Sequence, residues 1–224
     1  MYVSKRAGMR NITMRWKGDS LYMNAPRGVR EAKLRSTLDN FRVKLRASRD
    51  QNTVAYHIGQ MIQCYGFTLT IEEHESRRNS IMFRHSSDNV AVLVPKGLLD
   101  LEEAESKQWV SNALKLAIKN HAQERLIPLA QAVAERVGVA PKRFVLGRGV
   151  RKLGHCTPDE VIQLSRSLMF LPEELIELTI CHELAHLTHM NHSPQFHALV
   201  NSYLDGRERE LEKKLKAFNW PVLR

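Results

Sequence analysis

Ile180-Cys181-His182-Glu183-Leu184-Ala185-His186-Leu187-Thr188-His189-Met190-Asn191-His192 is the stretch from which the rest of this chain can be read. It contains His-Glu-x-x-His. On an α-helix, residues four apart lie one above the other on the same face. His182 and His186 can therefore aim their imidazoles at one metal ion, and Glu183 leans toward the same opening. That geometry suits zinc, with two histidines holding the ion and the carboxylate taking a proton from a zinc-bound water. The flanks predict a buried helix: Leu175, Ile176, Leu178 and Thr179 precede the motif, and Leu184, Ala185 and Leu187 lie within it. Polar groups in so apolar a helix are costly without partners. The plainer alternative is a pair of hydrogen-bonded core histidines.

A catalytic zinc usually takes three protein ligands and a water. Two candidates for the third lie downstream. His189 stays near the ligand face if the helix continues, and His192 reaches the metal only if the chain turns back. The sequence favours the turn. Asn191 tolerates the left-handed conformation that ends helices. Ser193-Pro194 then reads as a cap and first-turn proline of a new helix, with His192 in the bend.

At 224 residues the chain can bury a sizeable core as one domain or a domain with an appendage. No apolar run is long enough for a membrane span, and the first residues lack the apolar core of a signal peptide. Cys64, Cys156 and Cys181 are too few and scattered for a disulfide framework, which predicts a cytoplasmic protein. Cys181 points away from the direction of His182, as a core residue would. The net charge of +10 is uneven: residues 1–49 hold 13 Lys or Arg against 3 Asp or Glu, whereas 50–224 hold 21 of each. A basic arm on a neutral body can contact nucleic acid. A solvated edge strand and helix kept soluble by charge is the alternative, favoured here because few aromatics are present to stack bases.

Residues 11–25 predict a hairpin from the alternation of Ile12, Met14 and Trp16, a turn at 17–20, and the alternation of Leu21, Met23 and Ala25. Pro26-Arg27-Gly28 stops it, and an arginine-rich helix is expected over roughly 29–49, with Leu34, Leu38, Phe41 and Leu45 at helical spacing. A longer version follows: a strand at Phe67–Ile71, a second at Ile81–Phe83, a third at Val90–Val94, then Pro95-Lys96-Gly97. Strand-Pro-basic-Gly-helix thus occurs twice, a pattern compatible with a diverged duplication. Residues 101–137 read as helix broken at Pro128 and closed by Gly138. Phe144–Leu146 is a short strand, Arg148–Thr157 a basic loop, and 161–170 a strand leading to Pro172. Pro172-Glu173-Glu174 opens the metal helix, with acids where the helix dipole favours them. Gly206–Phe218, rich in charges four apart, reads as a surface helix outside any site. These elements divide the chain into a basic hairpin-plus-helix appendage (1–49), a β-rich part (50–100) and a metal-binding part (101–224).

With His182-Glu183-Leu184-Ala185-His186 followed by Asn191-His192-Ser193-Pro194-x-Phe196, the chain resembles the YgjP-like zinc metallopeptidases, relatives of the WLM and SprT-like zincins. Further matching positions are Lys152-Leu153-Gly154-His155-Cys156-Thr157, Ile162-Gln163-Leu164-Ser165 and Leu171-Pro172, and the basic N-terminal strands ending in Pro-x-Gly. The resemblance implies an α+β, zincin-like metallopeptidase domain with an N-terminal β-rich part and an active-site helix, and His182, His186 and His192 as ligands. The chain departs from the family pattern where Trp becomes Leu153, Ser becomes His155, and a Trp becomes His197. Lys152, His155 and His197 are therefore candidate substrate contacts.

The function expected is zinc-dependent peptide hydrolysis with Glu183 as general base. The strand at 161–168 would lie beside the cleft and could pair with an extended peptide. An alternative is a zinc-dependent nucleoside-triphosphate pyrophosphatase, an activity assigned to a member of the resembled family, in which Arg148, Arg151 and Lys152 hold phosphates. A third option is a non-enzymatic, zinc-stabilised nucleic-acid-binding module. It fits least well, because a structural zinc site is closed by four ligands and gains nothing from Glu183.

Overall fold

The computed structural model describes residues 2–17, 20–40, 54–75, 80–100, 104–147 and 152–223. It divides into two units, Met1–Val54 and Ala55–Arg224.

In the first unit, the alternation of apolar and polar residues builds the expected hairpin. Strand β2 (Thr13–Lys17) runs antiparallel to β3 (Ser20–Pro26), with Met14 opposite Met23. Leu21, Met23 and Ala25 are buried, and a helix over 31–40, α1, covers them with Leu34. Ile12, Met14, Val29 and Leu38 pack around that cluster. The expected extension of α1 past residue 40, with Phe41 and Leu45, lies outside the described residues. An additional strand, β1 (Tyr2–Arg6), lies parallel to β3 on its free side. Every residue of β1 is exposed, so no buried alternation announces it.

The second unit opens with a four-stranded sheet: β4 (Met61–Cys64), β5 (Phe67–His74), β6 (Met82–His85) and β7 (Asn89–Pro95), in the order β4-β5-β7-β6. Phe67, Leu69, Ile71, Val90, Val92 and Val94 are its buried rows. β5 is parallel to β7, and β6 is antiparallel to it. The first unit has the same arrangement, with β1 parallel to β3 and β2 antiparallel to it. Pro26 and Pro95 end the equivalent strands. The two stretches that look alike in sequence therefore share strand order and direction.

Two helices follow, α2 (Ala104–Ala117) and α3 (Lys119–Arg136). The expected break at Pro128 is not there. Pro128 lies inside α3, and the chain is interrupted at Ile118, which has φ −76° and ψ −7°. Ile118 is buried and no helix breaker marks the interruption, across which the Ile118 amide still donates to Leu114 and the Ala122 amide to Ile118. α3 ends as expected at Gly138, whose φ of +71° suits glycine, with the Val139 amide donating to the Ala134 carbonyl at 3.0 Å.

The remaining elements surround the histidines of the opening stretch. Strands β8 (Arg143–Gly147), β9 (Gly154–Cys156) and β10 (Val161–Ser165) form a sheet in the order β8-β10-β9. Two expectations are corrected here. The basic loop of 148–157 contains β9. Residues 166–170 form a 3-10 helix, not a strand, because the Ser165 hydroxyl accepts the Ser167 amide and turns the chain. Helices α4 (Glu173–Ala185), α5 (Pro194–Tyr203) and α6 (Glu208–Ala217) complete a mixed α+β fold. Among the described residues no helix is long and apolar enough to cross a membrane.

An exposed proline inside α3 leaves the Glu124 carbonyl without its helical donor. Pro128→Ala should stabilise the protein by roughly 2 kcal/mol, the interior-proline penalty less the unfolded-state entropy that the ring removes. Denaturant unfolding measures this; a lower midpoint for the variant would contradict the account.

Candidate metal centre

Helix α4 begins after Pro172, which is extended at φ −62° and ψ 152°, and carries Glu173 and Glu174 in its first turn. Its apolar residues lie on every side: Leu175, Ile176, Leu178, Ile180, Cys181 and Leu184 are all buried. The helix ends at Ala185, with His186 as its cap, earlier than the expected end near Asn191. Shorter-range bonds tighten its last turn: Leu187 donates to Leu184, and Thr188 to Ala185, both at 3.1 Å. Asn191 is not among the described residues with positive φ, so the bend does not use a left-handed Asn. The bend itself occurs as read. The Ser193 hydroxyl accepts the Phe196 amide at 3.3 Å, and Pro194 starts α5.

This turn brings His192 back over α4. Ring centroids are 5.0 Å apart for His182–His186, 5.0 Å for His182–His192 and 4.8 Å for His186–His192. One nitrogen from each ring lies within 4.8 Å of the others, and the three could hold a metal ion. Phe196, fully buried, touches all three rings at centroid distances of 4.6–4.9 Å. His189 contributes its backbone and not its ring to this arrangement: its carbonyl lies 3.0 Å from His186 Nδ1. A proton on Nδ1 leaves the Nε2 lone pair of His186 free for a cation. His182 Nε2 and His192 Nε2 face each other at 3.1 Å, and two such lone pairs fit around a shared cation. Burial, then the neighbouring His186 and His192, lowers the His182 pKa to about 4, and burial lowers that of His186, so both are neutral at pH 7, as metal binding requires.

Glu183 is buried, with 6% of its surface exposed, and β9 covers it. A Cβ on residue 154 would come within 2.7 Å of Glu183 Cδ, so Gly154 is what allows the strand to lie there. The Cys156 amide donates to the carboxylate. Burial nevertheless dominates over that bond and over Lys152, and raises the Glu183 pKa from 4.5 to about 7. Two thiols flank the site. Burial pushes Cys181 up to about 12 and raises Cys156.

The histidines and Glu183 open on a cavity of about 540 Å³. Lys152 and His155 line it, as do Met190 and, from α6, Glu212, Leu215 and Lys216. His197 lies outside that lining; its Nδ1 is 2.7 Å from the buried carboxylate of Glu208. Arg148 and Arg151 lie outside the described residues. Two sequence expectations are corrected. α6 is more than a surface helix. Its charge pairs exist, with Lys214–Glu210 and Lys216–Glu212 both at 2.9 Å. It also buries Leu211 and Glu208, an inner side that the spacing of Glu208, Leu211 and Leu215 carried and the charges obscured, and it walls the cavity with Leu215 and with the Lys216–Glu212 pair itself. The strand at 161–165, in turn, is central: β8 and β9 occupy both its edges, so it has none left for a peptide. The edge strand that lines the cavity is β9.

A family model described as YgjP-like, metallopeptidase domain, matches residues 10–218 of the chain. No curated protein and no solved structure matches it.

The burial of Glu183 carries a pH signature. With a folded pKa near 7 and an unfolded one near 4.5, folding binds a proton between these values, so the metal-free protein loses stability as pH rises through that window. Glu183→Gln removes the loss, while the histidines titrate equally in both proteins and cancel. In chelator, the variant should gain on wild type at pH 8, by up to roughly 3 kcal/mol, and show little gain at pH 4.5. Thermal unfolding at the two pH values decides; an equal gap at both would refute the buried-carboxylate reading.

Proposed function

The chain belongs to the YgjP-like metallopeptidase family, and from that premise we propose that it is a zinc-dependent peptidase in which His182, His186 and His192 hold the metal and Glu183 is the general base. The observation that carries this reading is the convergence of three imidazoles beside one buried carboxylate on an open cavity. All-imidazole donor sets suit zinc, and three ligands leave a position for chemistry. Zinc held there would supply Lewis acidity to a scissile carbonyl and to the attacking water.

The chain's own residues supply the rest. A Glu183 carboxylate oxygen accepts the proton of the attacking water, and the carboxyl then returns it to the leaving amine nitrogen. A carboxyl whose pKa lies near 7 suits both steps. The Cys156 amide fixes that carboxylate, and the His189 carbonyl fixes the tautomer of His186. β9 offers its outer edge to an extended peptide, replacing the role first assigned to the strand at 161–168. Lys152 and His155 line the same cavity and would meet a substrate entering it.

Nucleotide hydrolysis is the second reading, favoured by Lys152 and Lys216 on the cavity wall, where ammonium groups can meet phosphates. A purely structural zinc is disfavoured, because among the described residues the group contains three ligand residues and not four. Turnover of a quenched peptide library beside turnover of nucleoside triphosphates separates the two enzymatic readings.

Elemental analysis should find one zinc per chain. His192→Ala should lose most of it and His189→Ala should keep it, since only the backbone of residue 189 is used; the reverse result would overturn the ligand assignment. Glu183→Gln should keep the zinc and lose at least about two orders of magnitude in turnover. Full zinc with near wild-type turnover would exclude Glu183 as the base. Gly154→Ala displaces the carboxylate and not the histidines, so its turnover should drop by about tenfold or more at unchanged zinc content. Unaltered turnover in that variant would show that β9 does not position Glu183.

A further inference from the structure

The geometry points to a binding platform for single-stranded nucleic acid on the outer face of the β1-β3-β2 sheet. Met23 and Ala25 turn toward Leu34 and Leu38 of α1, so Tyr22 and Asn24 occupy the opposite face of β3. The parallel register sets Tyr2 beside Tyr22, Ser4 beside Asn24 and Arg6 beside Pro26. The two tyrosine rings are stacked, with centroids 4.9 Å apart and planes at 17°. Tyr2 is nevertheless 59% exposed. One side of its ring rests on Tyr22, and the other is free to continue the stack. Unpaired bases have the planar faces to do so, whereas the bases of a duplex are already stacked on one another.

The charge around this pair is explained by the second copy of the same strand arrangement. Aligned on Pro26 and Pro95, Ser4 and Lys5 stand where the other copy has Glu72 and Glu73, and Arg15 stands where it has Arg84. In that copy Glu72 neutralises Arg84 at 2.6 Å, and Glu73 accepts the Gly97 amide at 3.3 Å. The first copy lacks both acids. Of the three acidic residues in 1–49, Glu31 is tied to Arg35 at 2.8 Å, against 13 Lys or Arg. An aromatic stack alone would suit any apolar partner, and positive charge alone any polyanion. Arg6 alternates onto the same face as Tyr2 and Ser4, and there the ring stack and the guanidinium together match a ligand that alternates bases with phosphates.

Fluorescence anisotropy of a short labelled oligonucleotide, titrated with the full chain, tests this. Wild type should bind the single strand more tightly than a duplex of the same sequence, and heparin should compete less well than unlabelled single strand. Tyr2→Ala should weaken binding by about fivefold or more, and Tyr2→Trp should restore it, because it keeps a stacking face. Arg6→Ala should weaken binding and lower the slope of log affinity against log salt by about 0.7. Circular dichroism establishes that each variant folds, and an exposed edge residue such as Tyr2 tolerates both substitutions. Unchanged affinity in Tyr2→Ala, equal affinity for duplex, or equal competition by heparin would overturn the proposal in favour of a plain polyanion surface. Absence of binding at low salt would overturn it altogether.

Discussion

The ring of Phe196 beneath three imidazoles is the contact on which the centre depends. His182 and His186 come from one helix, and His192 from the bend before the next. Only a side chain that touches all three can fix their separation, and Phe196 does so while fully buried. Its own position follows from the Ser193 cap and from Pro194, which set where α5 begins. The early end of α4 is the matching requirement. A helix continued through residue 189 would have carried His192 away from His182 and His186. By stopping at Ala185 it turns the His189 carbonyl onto His186.

The second constraint is the closeness of β9 to α4. The carboxylate of Glu183 meets a strand backbone that only glycine lets approach, and in return receives the Cys156 amide. One small residue thereby joins the sheet to the helix, and burial of the carboxylate follows from the same contact. α6 closes the cavity from the other side with Glu212, Leu215 and Lys216, while Leu211 anchors the helix in the interior.

Much of this was legible in the sequence, wherever periodicity and chemistry agreed. The i, i+4 histidines, the bend at His192, the two hairpins and the glycine stop at Gly138 each had a local signal, and the family resemblance covered most of the chain. The parts that were not legible lacked such a signal. β1 is exposed on both sides and has no alternation. β9 is three residues long and sits in a basic stretch. The interruption at Ile118 falls on a buried apolar residue with no breaking signal, and Pro128, which carries the conventional one, is tolerated because Leu126, Ala130 and Val133 anchor the helix on either side of it. In α6 the abundance of charge pairs concealed the buried Glu208 and Leu211.

The two thiols beside the centre bear on how the protein responds to reagents. Cys181 precedes a histidine of the triad, and Cys156 lies on the strand that covers Glu183, yet both are buried and free. Burial holds the Cys181 thiol near pKa 12 and raises that of Cys156, which disfavours the thiolates that ligate soft metals, react with alkylating agents and oxidise. The fold thus keeps sulfur out of a nitrogen-ligand site without removing it from the neighbourhood. Mild oxidants and iodoacetamide should therefore spare a protein that chelators disarm, a pattern opposite to that of a cysteine peptidase.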